Sequence, residues 1–275
     1  MTATPPRFVV IGNPVGHSLS PAIHAQFSKE TGIALEYSTL LAPLDEFRIT
    51  AKHFFAVQEG RGANVTLPFK VEALRYATQA TDRARLAGAA NVLTSSGQHV
   101  VADNTDGAGL VVDLCSNLGV ALAGKRIALV GAGGAARGVI APLLAGSPAR
   151  LVVANRTVER ARDLAREFAA LGPIEAGAIE SLEDGAFDIL INATSTSTKG
   201  TPLALPRGSL APGALAYDMA YGPAAKPFVD NMLALGARAS DGLGMLVEQA
   251  AEAFQVWHGV RPRTAGVLAT LRARA

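Results

Sequence analysis

Lys125-Arg126-Ile127-Ala128-Leu129-Val130-Gly131-Ala132-Gly133-Gly134-Ala135-Ala136-Arg137 is the stretch whose reading decides the fold. It runs as an apolar strand, a glycine turn and a helix start, and it fits the G-x-G-x-x-A form of a dinucleotide fingerprint. Gly131 permits the tight turn, Gly133 lets the backbone approach a pyrophosphate, and Ala136 lets the helix lie close to the strand. The helix N-terminus offers N–H groups and a favourable dipole to phosphate. A second strand, residues 151–154, follows about twenty residues on, as a βαβ unit requires. The cofactor contacts implied here are Gly131, Ala132, Gly133, Gly134 and Ala135.

Outward from this motif, strand patterns at residues 8–11, 35–41, 63–66, 126–130, 151–154, 188–192 and 215–218 alternate with helical ones. That alternation predicts an α/β fold with largely parallel sheets. At 275 residues the chain exceeds the usual single domain, so two lobes flanking a cleft are expected. One boundary falls where Asn104-Thr105-Asp106-Gly107 ends an extended segment and a helical run to about Leu118 begins. A second falls at the turn-rich Ser240-Asp241-Gly242-Leu243-Gly244, before an amphipathic helix carrying Leu246, Ala250, Phe254 and Trp257. A last helix is expected over residues 264–274.

Net charge is +2 with both signs scattered, which excludes a nucleic-acid or acidic-membrane footprint. The longest apolar stretch, residues 139–154, is broken by Pro142, Gly146, Pro148 and Arg150, so no segment can span a bilayer. The first seven residues lack the basic flank and apolar core of a secretory signal, which reads as a cytoplasmic protein. The single cysteine, Cys115, forms no intramolecular disulfide and is expected on an apolar helix face. The five histidines show no ligand spacing, so no metal site is expected.

The end of the second strand discriminates between nicotinamide cofactors. An NAD site usually places a carboxylate there for the ribose 2′-hydroxyl. This chain has Asn155-Arg156-Thr157, and Arg160 follows one helical turn later. Arg156 and Arg160 suit a 2′-phosphate, which points to NADP; as a bare helix start, the same residues would be solvated arginines behind an N-cap at Thr157.

In the first half of the chain, Asn64-Val65-Thr66-Leu67-Pro68-Phe69-Lys70 reads as a strand meeting Pro68 at the first position of a helix, with Val71, Leu74 and Ala77 on one face. Lys70 falls in that helix's first turn, where a cation faces the positive end of the macrodipole at a cost of roughly 0.3–1 kcal/mol. A surface lysine is the plain explanation. The chain, however, has nineteen arginines and six lysines, so generic positive charge is usually supplied by arginine.

Motifs through nearly the whole length resemble the shikimate dehydrogenase family: Gly16-His17-Ser18-Leu19-Ser20-Pro21, Asn64 to Lys70, Gly88-Ala89-Ala90-Asn91, Asn104 to Gly107, the glycine loop, Asn155 to Thr157, Asn192-Ala193-Thr194-Ser195, Tyr217-Asp218-Met219-Ala220-Tyr221, and Gly244-Met245-Leu246-Val247-Glu248-Gln249. The resemblance implies NADPH-dependent, reversible reduction of 3-dehydroshikimate to shikimate. It implies a substrate domain of residues 1–106 plus 242–275, with the C-terminal helices returning to the first lobe, and a Rossmann NADP-binding domain of residues 107–241. Ser18 and Ser20 would take the substrate carboxylate, with Tyr221 nearby; Ser20-Pro21 is also a good helix start. Asn64, Thr66, Asn91 and Gln249 would meet the hydroxyls, since amides and hydroxyls can donate or accept. Thr194, Met219, Gly242 and Met245 would join the cofactor set, Met245 as a wall for the nicotinamide or as simple packing. Lys70 and Asp106 would be the catalytic pair. Hydride arriving at a carbonyl creates an alkoxide that a positioned acid must protonate or stabilise. The helix end disfavours the Lys70 ammonium, while an ionised Asp106 favours it. Asp106 alone would read as a helix N-cap.

Two departures from the family pattern stand out. Thr196-Ser197-Thr198-Lys199 occupies a loop where many members have a glycine and an apolar residue, and Val92 follows Asn91 where a threonine is common. Quinate/shikimate dehydrogenases and enzymes acting on amino analogues of shikimate are the nearest rival readings, and a non-catalytic ligand sensor is the rival from another class. A small-molecule partner is expected, with the chain a monomer or homodimer.

Overall fold

A computed structural model describes residues 4–96, 99–197 and 203–273. The chain divides into one unit made of Met1–Gly109 and Val247–Arg274 and another made of Leu110–Leu246. These breaks lie inside two helices, downstream of the turns at Asp106 and Gly242 where sequence patterning puts them. The first turn stays with the first unit because Asn104 donates to Ala89 O at 2.9 Å and the Thr105 N–H donates to Asn91 Oδ1 at 2.8 Å.

The first unit runs β1 Arg7–Gly12, α1 Ser20–Thr31, β2 Glu36–Leu41, α2 Phe47–Ala56, β3 Gly62–Val65, α3 Lys70–Tyr76, β4 Gln79–Ala80, α4 Asp82–Ala87, β5 Val92–Ser96 and β6 His99–Asp103. Its sheet has the order β2-β1-β3-β5-β6-β4. β1 pairs parallel with β2 and β3, and β4 with β6, whereas β5 is antiparallel to both β3 and β6. The expectation of parallel pairing therefore holds for the first three strands and gives way at β5 and β6, which are short, half polar and unanticipated. Val9 and Ile11 face a core with Phe47, Phe54, Phe69 and Ala73.

The helix after β3 begins two residues later than the proline pattern suggests. Pro68 lies in a turn closed by the Phe69 N–H on Thr66 O at 3.0 Å, and Lys70 is the first helical residue. The helix is rotated from the expected face: Phe69 and Ala73 are buried, Val71 is 44% exposed, and Leu74 and Ala77 only flank the core. The Phe69 ring sets this rotation by stacking on Phe47 with centroids 5.2 Å apart.

From α5 Asp106–Val112 the chain enters the second unit through a π-turn, Asp113–Asn117. Leu110, Asp113 and Leu114 form the buried face, and Cys115, one residue beyond it, is exposed rather than on the apolar side as its neighbours suggest. The unit continues β7 Arg126–Val130, α6 Gly134–Ala145, β8 Arg150–Ala154, α7 Val158–Phe168, β9 Ile174–Gly177, β10 Phe187–Asn192, β11 Leu210–Asp218, α8 Lys226–Ala234 and β12 Arg238–Ser240. All its strands are parallel, in the order β12-β11-β10-β7-β8-β9. This is the doubly wound Rossmann order, in which the chain reverses direction across the sheet at β7 and β10, the usual ligand position. Apolar clusters cover both faces, as near-continuous apolar strands such as Ile127–Val130 require.

α9 Leu243–His258 begins within the stretch expected to be a turn, and α10 Ala265–Arg272 follows. From Val247 onward this chain end belongs to the first unit. There Phe254 and Trp257 meet α1 and β1: Phe27 contacts Phe254 edge-on at 5.8 Å and Phe8 lies 4.8 Å from Trp257. His24 is fully buried in this layer and stacks on Tyr37 at 4.2 Å with 7° between the rings.

Burial lowers the His24 pKa from 6.5 to about 3; the Asn64 side chain opposes the shift and His258 adds a small contribution to it. The unfolded chain therefore takes up a proton between pH 6.5 and 3 that the folded chain refuses, and stability falls as pH drops through that window. A His24→Phe variant should escape roughly 2 kcal/mol of the loss that the natural chain suffers between pH 6.5 and 5. Denaturant unfolding at the two pH values reads this directly; equal losses in both proteins would count against a neutral, buried His24.

Candidate active site

Two strand ends deliver the central pair. β3 leads through its turn to Lys70, and β6 leads through Asn104 and Thr105 to Asp106, the first residue of α5. Lys70 Nζ donates to Asp106 Oδ2 at 2.6 Å, with side chains 29% and 17% exposed. The Asp106 carboxylate does not cap its helix. Asn104 Oδ1 accepts from the Asp106 N–H at 3.1 Å, which leaves the carboxylate directed at Lys70 and at Asn91 Nδ2, 2.9 Å from Oδ1.

Asn91 organises the surroundings. Its Nδ2 lies 2.9 Å from Thr105 Oγ1 and 3.0 Å from Gln249 Oε1, as well as against Asp106, so three acceptors compete for two N–H groups. Thr105 donates its hydroxyl to Gln249 O at 3.0 Å, fixing α9 to the same loop. Asn64 joins through its Nδ2, 3.2 Å from Asn91 O, and its Oδ1 accepts from the Tyr37 hydroxyl at 2.6 Å. Such a cluster can protonate or stabilise an oxygen at Lys70 and offers several donors and acceptors around it.

Ser18 and Ser20 flank the start of α1. Ser18, not Ser20, faces the helix N–H groups: its Oγ accepts from the Ser20 N–H at 3.3 Å. Ser20 is buried and turned toward the Tyr37 hydroxyl. Thr66 uses its backbone to close the turn before α3, and its side chain is no cap, since Phe69 occupies the cap position.

Sequence patterning missed the charge network behind this site. Arg83 grips Asp103 with two bonds of 2.6 Å and reaches Glu252 at 2.8 Å. Arg261 ties the same Glu252 to Glu248 at 2.6 and 2.9 Å. Burial alone would raise the Asp103 pKa, but bonds from Arg83 and Thr81 outweigh it and the result is a lowered value. The network joins β6, α4 and α9, the elements that present Asp106 and Gln249. Its members lie too far apart in sequence for any local pattern to reveal it.

In the second unit, Gly131 adopts φ +117°, and a Cβ there would meet Ala193 O at 2.9 Å, so this turn admits only glycine. Gly133 is the N-cap of α6 with no side-chain capping bond, and Gly133, Gly134 and Ala135 are exposed beside the half-buried Ala132. No side chain among the described residues caps the start of this helix, and its first N–H groups fit a pyrophosphate. Asn155 donates to Thr157 O at 2.8 Å, and Thr157 occupies the N-cap of α7 without a side-chain bond. Arg156 and Arg160 are exposed and pair with no carboxylate among the described residues, unlike Arg137, Arg162 and Arg166, each held by a glutamate or aspartate. Arg156 just after β8 and Arg160 in the first turn of α7, with no carboxylate partner among the described residues, suit a phosphate on the adenosine ribose.

Thr194 is anchored by its hydroxyl to Asn192 Oδ1 at 2.7 Å, in the loop against Gly131. Ser197 bonds to both Asn192 and the buried Asp218, whereas Thr198 and Lys199 of the same loop lie outside the described residues. Gly242 donates to Ala220 O at 2.8 Å just beyond Met219. Met245 is buried in the apolar core of this unit. Tyr221 precedes a short 3₁₀ turn, and burial raises its hydroxyl pKa. Among the described residues, no group of three or more His, Cys, Asp or Glu could hold a metal ion, and no helix is long and apolar enough to cross a membrane.

A Rossmann sheet with a dinucleotide loop, joined in one chain to a mixed-sheet unit carrying a lysine–aspartate pair, has the architecture of a nicotinamide-dependent oxidoreductase. A model described as the shikimate dehydrogenase substrate binding domain matches residues 10–93, one described as shikimate / quinate 5-dehydrogenase matches residues 113–201, and one described as the shikimate 5'-dehydrogenase C-terminal domain matches residues 242–272. A protein of Dechloromonas aromatica (strain RCB) named shikimate dehydrogenase (NADP(+)) is 56% identical over 268 residues, 97% of each chain. An Ael1 enzyme from Pseudomonas putida aligns with TM-score 0.88 at 41% identity, covering 97% of this chain and 98% of that one. The shikimate 5-dehydrogenase of Thermus thermophilus in complex with NADP(H) and shikimate aligns with TM-score 0.84 at 31% identity, covering 98% and 100%. The chain belongs to the shikimate dehydrogenase family.

The unpaired guanidinium at the end of β8 predicts a cofactor-specific effect. Arg156→Ala should raise KM for NADP by about tenfold or more and leave KM for NAD nearly unchanged, because only NADP carries the 2′-phosphate. Steady-state kinetics with both cofactors make the comparison, and equal effects on the two would refute the assignment.

Proposed function

We propose that this chain catalyses the reversible, NADPH-dependent reduction of 3-dehydroshikimate to shikimate, in the cytoplasm. The observation that supports this most is the 2.6 Å contact between Lys70 and Asp106 amid Asn91, Asn64 and Gln249, a proton donor set among groups that suit a polyhydroxylated ring. The first unit holds the substrate: the Ser18 and Ser20 hydroxyls take its carboxylate, with Tyr221 contributing a further hydroxyl, and Asn64, Thr66, Asn91 and Gln249 take its ring hydroxyls. The second unit holds NADP through the backbone of Gly131 to Ala135, with Asn155, Arg156, Thr157 and Arg160 around the adenosine phosphate and Thr194, Met219, Gly242 and Met245 toward the nicotinamide. NADPH, when bound, supplies the hydride.

Lys70 carries the proton step. Its ammonium keeps one N–H on Asp106 and turns another to the ketone oxygen, stabilising negative charge there as it develops and then protonating it. Asp106 aims the ammonium and accepts from a ring hydroxyl; Asn91 holds Asp106 in turn. In the reverse direction the neutral Lys70 amine takes the hydroxyl proton.

Supplying shikimate or quinate with NADP or NAD, in four combinations, and following reduced nicotinamide should give efficient turnover with shikimate and NADP alone. Preference for quinate or NAD would overturn the substrate or cofactor reading respectively. With the preferred pair, Lys70→Ala should leave shikimate binding within a small factor but cut kcat by about 10²–10⁴. A nearly unchanged kcat would remove Lys70 from the chemistry.

A further inference from the structure

Tyr37 lies on β2, away from every motif of the sequence reading, yet its hydroxyl donates to Asn64 Oδ1 at 2.6 Å. The direction of that bond follows from the other end of the amide. Asn91 O already accepts the Val65 N–H at 2.8 Å, and a carbonyl can only accept, so the group 3.2 Å from it must be Asn64 Nδ2. Oδ1 is thereby turned to Tyr37, and the Tyr37 proton is committed to it. The Asn64 amide has a second N–H that the bond to Asn91 O leaves over. Tyr37 is itself held from behind by the flat stack on His24, a fully buried ring that stays neutral near pH 7 because burial keeps its pKa low. A neutral ring stacks on tyrosine without placing a charge beside the Asn64 amide.

We propose that Tyr37 is a substrate-positioning residue: locked against His24, its hydroxyl holds the Asn64 amide oxygen inward and an N–H outward, so that this position meets a ligand oxygen only as a donor. The proposal rests on the reading of the first unit as the shikimate site. It assigns Asn64 one chemical role where the residue type allows two, and it makes the orientation depend on a residue that touches no ligand.

Tyr37→Phe keeps the ring and the stack and deletes only the hydroxyl. It should raise KM for shikimate roughly two- to tenfold, the range expected for one hydrogen bond, with KM for NADP unchanged. In an Asn64→Ala background the same substitution should have no further effect on KM for shikimate, because the amide it orients is gone. An equal factor in both backgrounds, or an equal rise in both KM values, would mean general loosening and would overturn the positioning role, as would an unchanged KM. Wild-type protein that fails to turn over shikimate at all would overturn the functional reading instead.

Discussion

The 2.6 Å contact between Lys70 and Asp106 is the interaction around which the first unit is arranged. Stability does not explain it. A lysine at the first position of a helix faces the positive end of the dipole, and a partly buried ion pair recovers little more than its own desolvation. What keeps the pair in place is its framework. α3 and α5 both begin where strands of one sheet end, so their first residues are delivered to the same edge. Asn91 then fixes Asp106, and Arg83, Asp103, Glu252 and Arg261 fasten α9 behind it. The awkward lysine is thus held in position by a framework that includes a charge network outside the site.

The second unit was the more legible half of the fold. Its strands are apolar runs bounded by turn residues, and β7 coincides with the residues expected, because parallel strands covered on both faces must be apolar throughout. β5 and β6 carry Thr94, Ser95, Ser96 and His99, so they lack an apolar strand pattern; they pair antiparallel with each other, and β5 is set into the sheet by its pairing with β3. The start of α3 was misplaced for a related reason: Pro68 suits both a first helical turn and the turn before a helix, and burial of Phe69 decides between them. Within the site, the residues found from sequence are those lying in compact motifs. Tyr37, Arg83 and Glu252 have no local signature, since each acts through a partner tens or hundreds of positions away.

The departure at Ser197 acquires a physical meaning. Its hydroxyl bonds to Asp218 and Asn192, so the loop is tied to the ends of β11 and β10. Burial raises the pKa of Asp218, while Ser197, the Ala220 N–H and Asn192 act in the opposite direction. A glycine at this position would give backbone freedom; the serine gives a donor to a buried carboxylate. The loop beside Gly131 is thus held by a side chain rather than by backbone conformation alone.

The role of the lysine–aspartate pair is tested most directly by a crystal structure of the protein with shikimate and NADP bound. Proton transfer by Lys70 requires its Nζ to lie within hydrogen-bond distance of the ring hydroxyl attached to the carbon that gives up hydride, with Asp106 still holding the ammonium and within reach of a ring hydroxyl. A ring bound with that hydroxyl beyond the reach of Lys70 would contradict it.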